Sequence, residues 1–119
     1  MAAIDYLKNF LRNEGFRFEE TENLITFKVQ GNNYLAFKNE SSYLQIASIW
    51  DYECDRHKAL EICNELNNDI YIVKCVIVND SLWCSWEFLP TEQTTSDNFM
   101  SIFNILERTV RQFFEKSNE

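Results

Sequence analysis

Cys54 and His57 are the residues in this sequence with the clearest potential for chemistry. A cysteine acts as a nucleophile when a neighbouring base makes it a thiolate, and Asp51 or Asp55 could orient the imidazole. Side chains three apart can touch on a helix, but no glycine-rich turn that could form an oxyanion hole accompanies them. The simpler interpretation is a helix cap with a partly buried cysteine and a solvated histidine. A small thiol enzyme using Cys54 and His57 remains the alternative.

Metal and phosphate chemistry have less support. A zinc site formed by Cys54, His57 and a distant cysteine would need a fourth ligand that no spacing supplies. Cys63, Cys75 and Cys84 fall singly inside helix or strand patterns, as reduced and buried thiols do. Paired acidic residues are explained by a solvated face, and the two glycines are too far apart for a phosphate-binding loop. We expect no metal, no cofactor and no enzyme activity.

The bulk composition narrows the class of partner. The chain has 119 residues, enough for one domain over 1–119, and 11 Lys and Arg against 19 Asp and Glu give a net charge of −8. An acidic chain without a basic cluster is a poor match for nucleic acid, and from the net charge we expect a charged partner to be basic. No apolar run is long enough to span a bilayer or act as a signal peptide, so we expect a cytoplasmic protein with no membrane partner.

Hydrophobic periodicity predicts three helices and five strands. The last helix begins at a cap on Ser96 or Asp97, and the strand at 70–78, apolar on both sides, is expected in the centre of the sheet. Turns are expected at 39–42 and at Gly31–Asn32, with glycine in the first central position. The other helices are predicted at 3–14 and 55–68, and the other strands at 24–30, 34–38, 43–50 and 82–89. The result is an α+β domain, an antiparallel five-stranded sheet with three helices in the order α-β-β-β-α-β-β-α, with the first and last helices on one face.

Aromatic and aliphatic residues on the other sheet face are the strongest candidate for a functional surface. Helix two could fold back over them, but its apolar stripe is narrow. We therefore favour a surface for a second subunit or a peptide, because exposed apolar patches usually mark contacts. The residues of this predicted surface are Tyr34, Tyr43, Trp50, Ile70, Ile72, Val76 and Trp83.

The middle of the chain resembles a known family. Ala59-Leu60-Glu61, then Asn64-Glu65-Leu66-Asn67, then a strand carrying Lys74, is similar to the central signature of the YbjN-like family. The order of elements also resembles the type III secretion chaperone-like fold. These resemblances imply a bacterial sensory transduction regulator without catalytic residues, and a homodimeric, chaperone-like module. Such a module would hold a basic or amphipathic segment of another protein on its sheet or by strand addition.

Overall fold

The computed structural model describes residues 2–38 and 42–119 of the chain, which form three helices and six strands. The predicted turn at 39–42 lies, except for Ser42, outside these residues. In chain order the elements are α1 (Ala3–Asn13), β1 (Phe18–Glu20), β2 (Leu24–Val29), β3 (Asn32–Phe37), β4 (Leu44–Asp51), α2 (Arg56–Asp69), β5 (Val73–Val78), β6 (Ser81–Phe88) and α3 (Ser96–Ser117).

The six strands form one sheet in the order β1-β2-β3-β4-β6-β5, with every neighbouring pair antiparallel. The α+β class and the three helices are as predicted, but the count of five strands is wrong. The extra strand is β1, which has three residues and pairs Phe18 with Phe27 of β2. Three residues are too few to show an alternation of apolar and polar side chains. This strand is recognised only by its backbone pairing with β2 in the structure.

Several predicted boundaries shift by one or two residues. The β2–β3 turn has Gln30 and Gly31 at its centre, both with positive φ, so glycine takes the second central position instead of the first. Helix α3 is capped by Thr95 instead of Ser96 or Asp97. The Thr95 hydroxyl accepts from the Asn98 amide while the Asn98 side chain accepts from the Thr95 amide, a reciprocal pair available only to this spacing.

All three helices pack on the same face of the sheet. On β2, Ile25, Phe27 and Val29 are buried while the residues between them are not. These side chains share one hydrophobic core with the buried stripes of all three helices. Phe10 of α1 stacks on Phe99 of α3 with ring centroids 4.6 Å apart. Because α2 joins the same core, it does not fold over the opposite face.

Strand β5 lies at an edge of the sheet and not at its centre. The predicted strand also began too early, because Ile72 has φ of 80° and this left-handed backbone turns the chain before Val73. Apolar residues occur on both sides of β5 for a different reason. Cys75 belongs to the core beneath the helices, whereas Val76 and Val78 lie on the opposite face.

The side chain of Asn67, near the end of α2, closes the free edge of β5. Its Nδ2 donates to the Cys75 carbonyl at 2.9 Å, and its Oδ1 accepts from the Cys75 amide at 2.7 Å. The amide group thus makes the two hydrogen bonds that a further strand would make. Helix α2 is tied to the sheet at this point, and the edge groups of Cys75 are closed to another chain.

The closure predicts a measurable loss of stability. Asn67→Ala removes two hydrogen bonds and leaves the Cys75 amide and carbonyl without partners, so the free energy of unfolding should fall by about 1 to 3 kcal/mol in urea titrations. Asn68→Ala is the matched control, because Asn68 is exposed in the same turn of helix and gains the same helix propensity. Equal stability of the two variants would show that the closure contributes nothing.

A second contact fixes the other edge. Glu20 of β1 bonds to Lys8 of α1 at 2.8 Å and to Lys38, just after β3, at 2.7 Å. The hydrogen bonds from Lys38 and Lys8 lower the pKa of Glu20 to about 2. Glu20 therefore joins three elements around the short strand through its charge.

The lowered pKa sets the pH range of this contribution. A carboxyl whose pKa is lower in the folded state stabilises the fold above its unfolded value and loses that contribution as the pH falls through about 2. Glu20→Gln should lower the free energy of unfolding at pH 7, and its difference from the wild type should shrink in acid. Unfolding at a series of pH values measures this, with Glu22→Gln as the control. A difference that stays constant down to pH 2 would refute the role of the charge.

Candidate protein-binding face

The face of the sheet opposite the helices carries a continuous apolar centre. Cross-strand pairing places Leu35 beside Ala47 and Trp83 between Ile49 and Val76. We call this surface the open face and define it by Leu35, Phe37, Ala47, Ile49, Val76, Val78 and Trp83. Its side chains come from four adjacent strands, β3, β4, β6 and β5, so the patch crosses most of the sheet.

Aromatic packing organises the open face. The rings of Phe37 and Trp83 are stacked, with centroids 6.1 Å apart and an interplanar angle of 8°. Ala47, a small residue in the same surface, is 0% exposed although no helix covers it, since larger neighbours surround it. Ile49 and Val78 are 38% and 37% exposed. The face is thus ordered by its own side chains before any partner binds.

Charged residues surround this apolar centre. Lys74 and Glu87, on the outer side of β5 and β6, lie 3.9 Å apart, and Asp51 ends β4. Lys28 and Glu19 lie on the outer side of β2 and β1. An apolar centre inside a polar rim is the general pattern of a protein interface.

The predicted surface residues divide between the two faces. Val76 and Trp83 lie on the open face, opposite each other in the β5–β6 register. Tyr43, which directly precedes β4, is 43% exposed. Ile70 and Ile72 precede β5 and are not part of the sheet, with Ile72 66% exposed and Ile70 packed against the core.

Tyr34 and Trp50 were assigned to the wrong face. Tyr34 pairs with Phe27, a core residue, and is only 4% exposed. Its hydroxyl donates to the Phe103 carbonyl at 3.3 Å, and burial, with Glu107 nearby, raises its pKa to about 12. Trp50 meets Phe114 of α3 edge to face. Both aromatic side chains therefore pack in the core beneath α3 and not on the open face.

Three large members of the open face were not predicted, namely Leu35, Phe37 and Ile49. The signal that could find them is the strand register, because residues directly opposite each other share a face. Once Trp83 is placed on the outer side, its pairing with Ile49 and the alternation of β3 and β4 assign the others. The sequence alone did not supply that register.

An open groove of about 820 Å³ lies on the outer side of β1 to β4. We call it the β1 groove. Its floor includes three residues of the open face, and its walls carry charged residues. It is lined by Phe16, Arg17, Phe18, Glu19, Thr26, Phe27, Lys28, Asn33, Tyr34, Leu35, Ala47 and Ile49.

A smaller cavity, about 350 Å³, lies on the helix-covered side under the end of α3. The arginine that lines it, Arg111, is already paired, because it lies 3.7 Å from Glu107. Another cavity of about 340 Å³ adjoins Trp86, whose indole nitrogen has no hydrogen-bond partner among the described residues. Neither cavity is continuous with the open face.

His57 pairs with Glu61 and not with Cys54 in the described structure. His57 Nε2 bonds to Glu61 Oε1 at 2.9 Å, one turn further along α2, and its side chain is 84% exposed. No hydrogen bond joins it to Cys54 in the part of the chain that the structure describes. Asp55 caps α2 by accepting from the Lys58 amide at 2.9 Å. The geometry fits the helix-cap interpretation.

The other cysteines lie in the core. Cys75 and Cys84 face each other across β5 and β6 with their sulfur atoms 3.5 Å apart, and the hydrogen bond with Cys75, together with burial, raises the pKa of Cys84. Burial also raises the pKa of Cys63 to about 12. Within residues 2–38 and 42–119, no three His, Cys, Asp or Glu side chains are grouped as a metal site.

These features define a class: an α+β protein whose antiparallel sheet is covered by helices on one side and open on the other. Its fold is that of YbjN, a proposed transcription regulator from E. coli, with a TM-score of 0.64 at 14% identity over 97% of this chain and 90% of that one. An uncharacterized protein from Methanothermobacter thermautotrophicus matches with a TM-score of 0.71 at 13% identity, over 98% and 96% of the two chains.

The structural comparison confirms the fold expected from the YbjN-like resemblance. At the level of sequence, no protein-family model and no curated protein matches the chain. Among the described residues, no helix has both the length and the apolar character needed to cross a membrane.

Thiol reactivity distinguishes the helix cap from the thiol enzyme. Under native conditions Cys54, the least buried cysteine, should react first with iodoacetamide, and His57→Ala should leave its rate unchanged because His57 bonds to Glu61. The three buried thiols should react only on unfolding, as peptide mass spectrometry would show. A fast phase at Cys54 that disappears in His57→Ala would instead support the enzyme.

Proposed function

We propose that this protein is a non-enzymatic regulatory module that holds a segment of another protein on the open face. The observation that carries the proposal is the placement of all three helices on one side, which leaves an apolar sheet surface on the other. The resemblance to the type III secretion chaperone-like fold implies the same activity, and YbjN is itself a proposed regulator.

The exposed apolar area favours binding. Ile49 and Val78 are more than one-third exposed within an ordered surface. Each Å² of apolar area removed from water contributes about 25 cal/mol, before the cost of ordering the partner is subtracted. A preformed aromatic stack at Phe37 and Trp83 keeps the ordering cost on this protein's side low.

The two edges of the sheet differ in their capacity for strand addition. Asn67 occupies the hydrogen-bonding positions of Cys75 on β5. The free edge of β1 has no strand partner within the described residues, and β1 borders the β1 groove. Strand addition, if a partner uses it, therefore belongs at β1.

The expected homodimer stays a prediction, and a second copy would compete for the same open face. The thiol enzyme has little support, because His57 is paired with Glu61 and not with Cys54.

Displayed peptide libraries test the proposal directly. Selection on the wild-type protein should enrich peptides, and their affinity should fall roughly tenfold in Ile49→Gln and in Val78→Gln, since each change makes an apolar contact polar. Leu60→Gln is the matched control, because Leu60 is 44% exposed but lies on α2. Circular dichroism checks that each variant is folded.

Two results would reject the proposed function. One is a failure to enrich any peptide above background. The other is an affinity that is equal in the open-face variants and the wild type, or lost equally in Leu60→Gln.

A further inference from the structure

Most cations of this chain have a partner. The chain has 11 Lys and Arg residues, and eight of them contact a carboxylate, a carbonyl oxygen or an aromatic ring. Arg17, Lys28 and Arg108 have no such partner among the described residues. Two of these three, Arg17 and Lys28, line the β1 groove.

The groove therefore differs in charge from the rest of the protein. Arg17, Lys28 and Glu19 are its charged lining residues and sum to +1, on a chain whose net charge is −8. The cavity under α3 differs in this respect, because its Arg111 is already matched by Glu107. Two of the three cations without a partner among the described residues therefore lie in this groove.

Apolar residues lie next to these cations. Leu35 and Ile49 belong to both the groove and the open face, and β1 forms the border of the groove with its outer backbone side free of a strand partner in the described structure. An extended segment lying in the groove, across the outer face of β1 to β4, would place its apolar side chains on Leu35 and Ile49 and its carboxylates beside Arg17 and Lys28.

We propose that the β1 groove holds an extended protein segment that carries acidic residues next to apolar ones, with its carboxylates on Arg17 and Lys28. This inference rests on the proposed function and names the chemistry of the partner. It reverses the basic partner expected from net charge, because local unpaired charge decides which segment fits. Arginine suits this role, since its planar group binds a carboxylate through two hydrogen bonds.

Other occupants fit less well. A basic segment would bring its cations against Arg17 and Lys28, where like charges repel. Nucleic acid is bound by neutralising a run of phosphates, and two cations on a chain of charge −8 provide little of that. A segment with a few acidic residues among apolar ones matches both the two unpaired cations and the apolar residues of the groove.

The experiment uses the full chain and displayed peptides. Peptides enriched on the wild type should contain Asp or Glu beside apolar residues, and replacing those acids by Asn or Gln should weaken binding. Arg17→Glu and Lys28→Glu should each lower the affinity of the acidic peptide roughly tenfold, the loss expected for a charged hydrogen bond. Peptides with Lys in place of the acids should bind these variants better than the wild type.

Arg108→Glu supplies the matched control. Arg108 is also an exposed cation without a partner in the described structure, but it lies on α3. The Arg108→Glu variant has the same change in net charge as the other two. A loss of affinity confined to Arg17→Glu and Lys28→Glu therefore comes from the groove and not from the net charge of the protein. Affinity of the acidic peptide should also fall with salt, since ion pairs at an exposed rim are screened.

The inference and the proposed function fail in different ways. Peptides that are neutral or basic, yet lose affinity in Ile49→Gln, would overturn the acidic partner and leave the open-face module standing. Equal losses in Arg108→Glu and Lys28→Glu would do the same. A single-stranded oligonucleotide that binds the wild type more tightly than the peptides do, and loses binding in Lys28→Glu, would also overturn it. The absence of any enriched peptide would reject both.

Discussion

The pleat of the sheet is the constraint on which the rest of the structure depends. Successive residues of a strand point to opposite sides of the sheet. The side on which the helices pack therefore determines whether each strand residue lies in the core or on the open face. The apolar residues of all three helices, including Leu7, Leu66 and Phe103, are buried on the same side of the sheet. The other side is then left to be covered by its own aromatic residues, and the stack of Phe37 on Trp83 is the result.

Helices and hairpin strands were predictable because their signals are local. The stripe from Phe99 to Phe113 and the alternation at Ile25, Phe27 and Val29 both depend on neighbours in sequence. The place of a strand in the sheet is not local. Strand β5 looked central because it is apolar on both sides, but one side faces the core and the other belongs to the open face. Composition cannot separate those two environments.

The candidate site shows the same limit. Trp83 and Tyr34 are both aromatic residues in alternating strands, yet the register sends Trp83 outward and buries Tyr34 against Phe103. A difference of one residue in strand position reverses the face. The local charge of the β1 groove could not be predicted from the sequence either. The sequence gives a total of −8, but whether a given lysine is paired is decided by contacts between distant residues, as at Lys8, Glu20 and Lys38. Only the folded chain leaves Lys28 without a partner among the described residues.

Asn67 has a consequence for the way assemblies can grow. A sheet with two free edges can be extended at both ends, and repeated extension of that kind leads to fibres. Here the hydrogen bonds between Asn67 and Cys75 occupy the middle of one edge, and the short β1 forms the other edge. Extension of this sheet is therefore favoured at β1, where each protomer can add one chain. If two copies were to pair through β1, that pairing would use the same edge and stop there, as a closed pair and not a polymer.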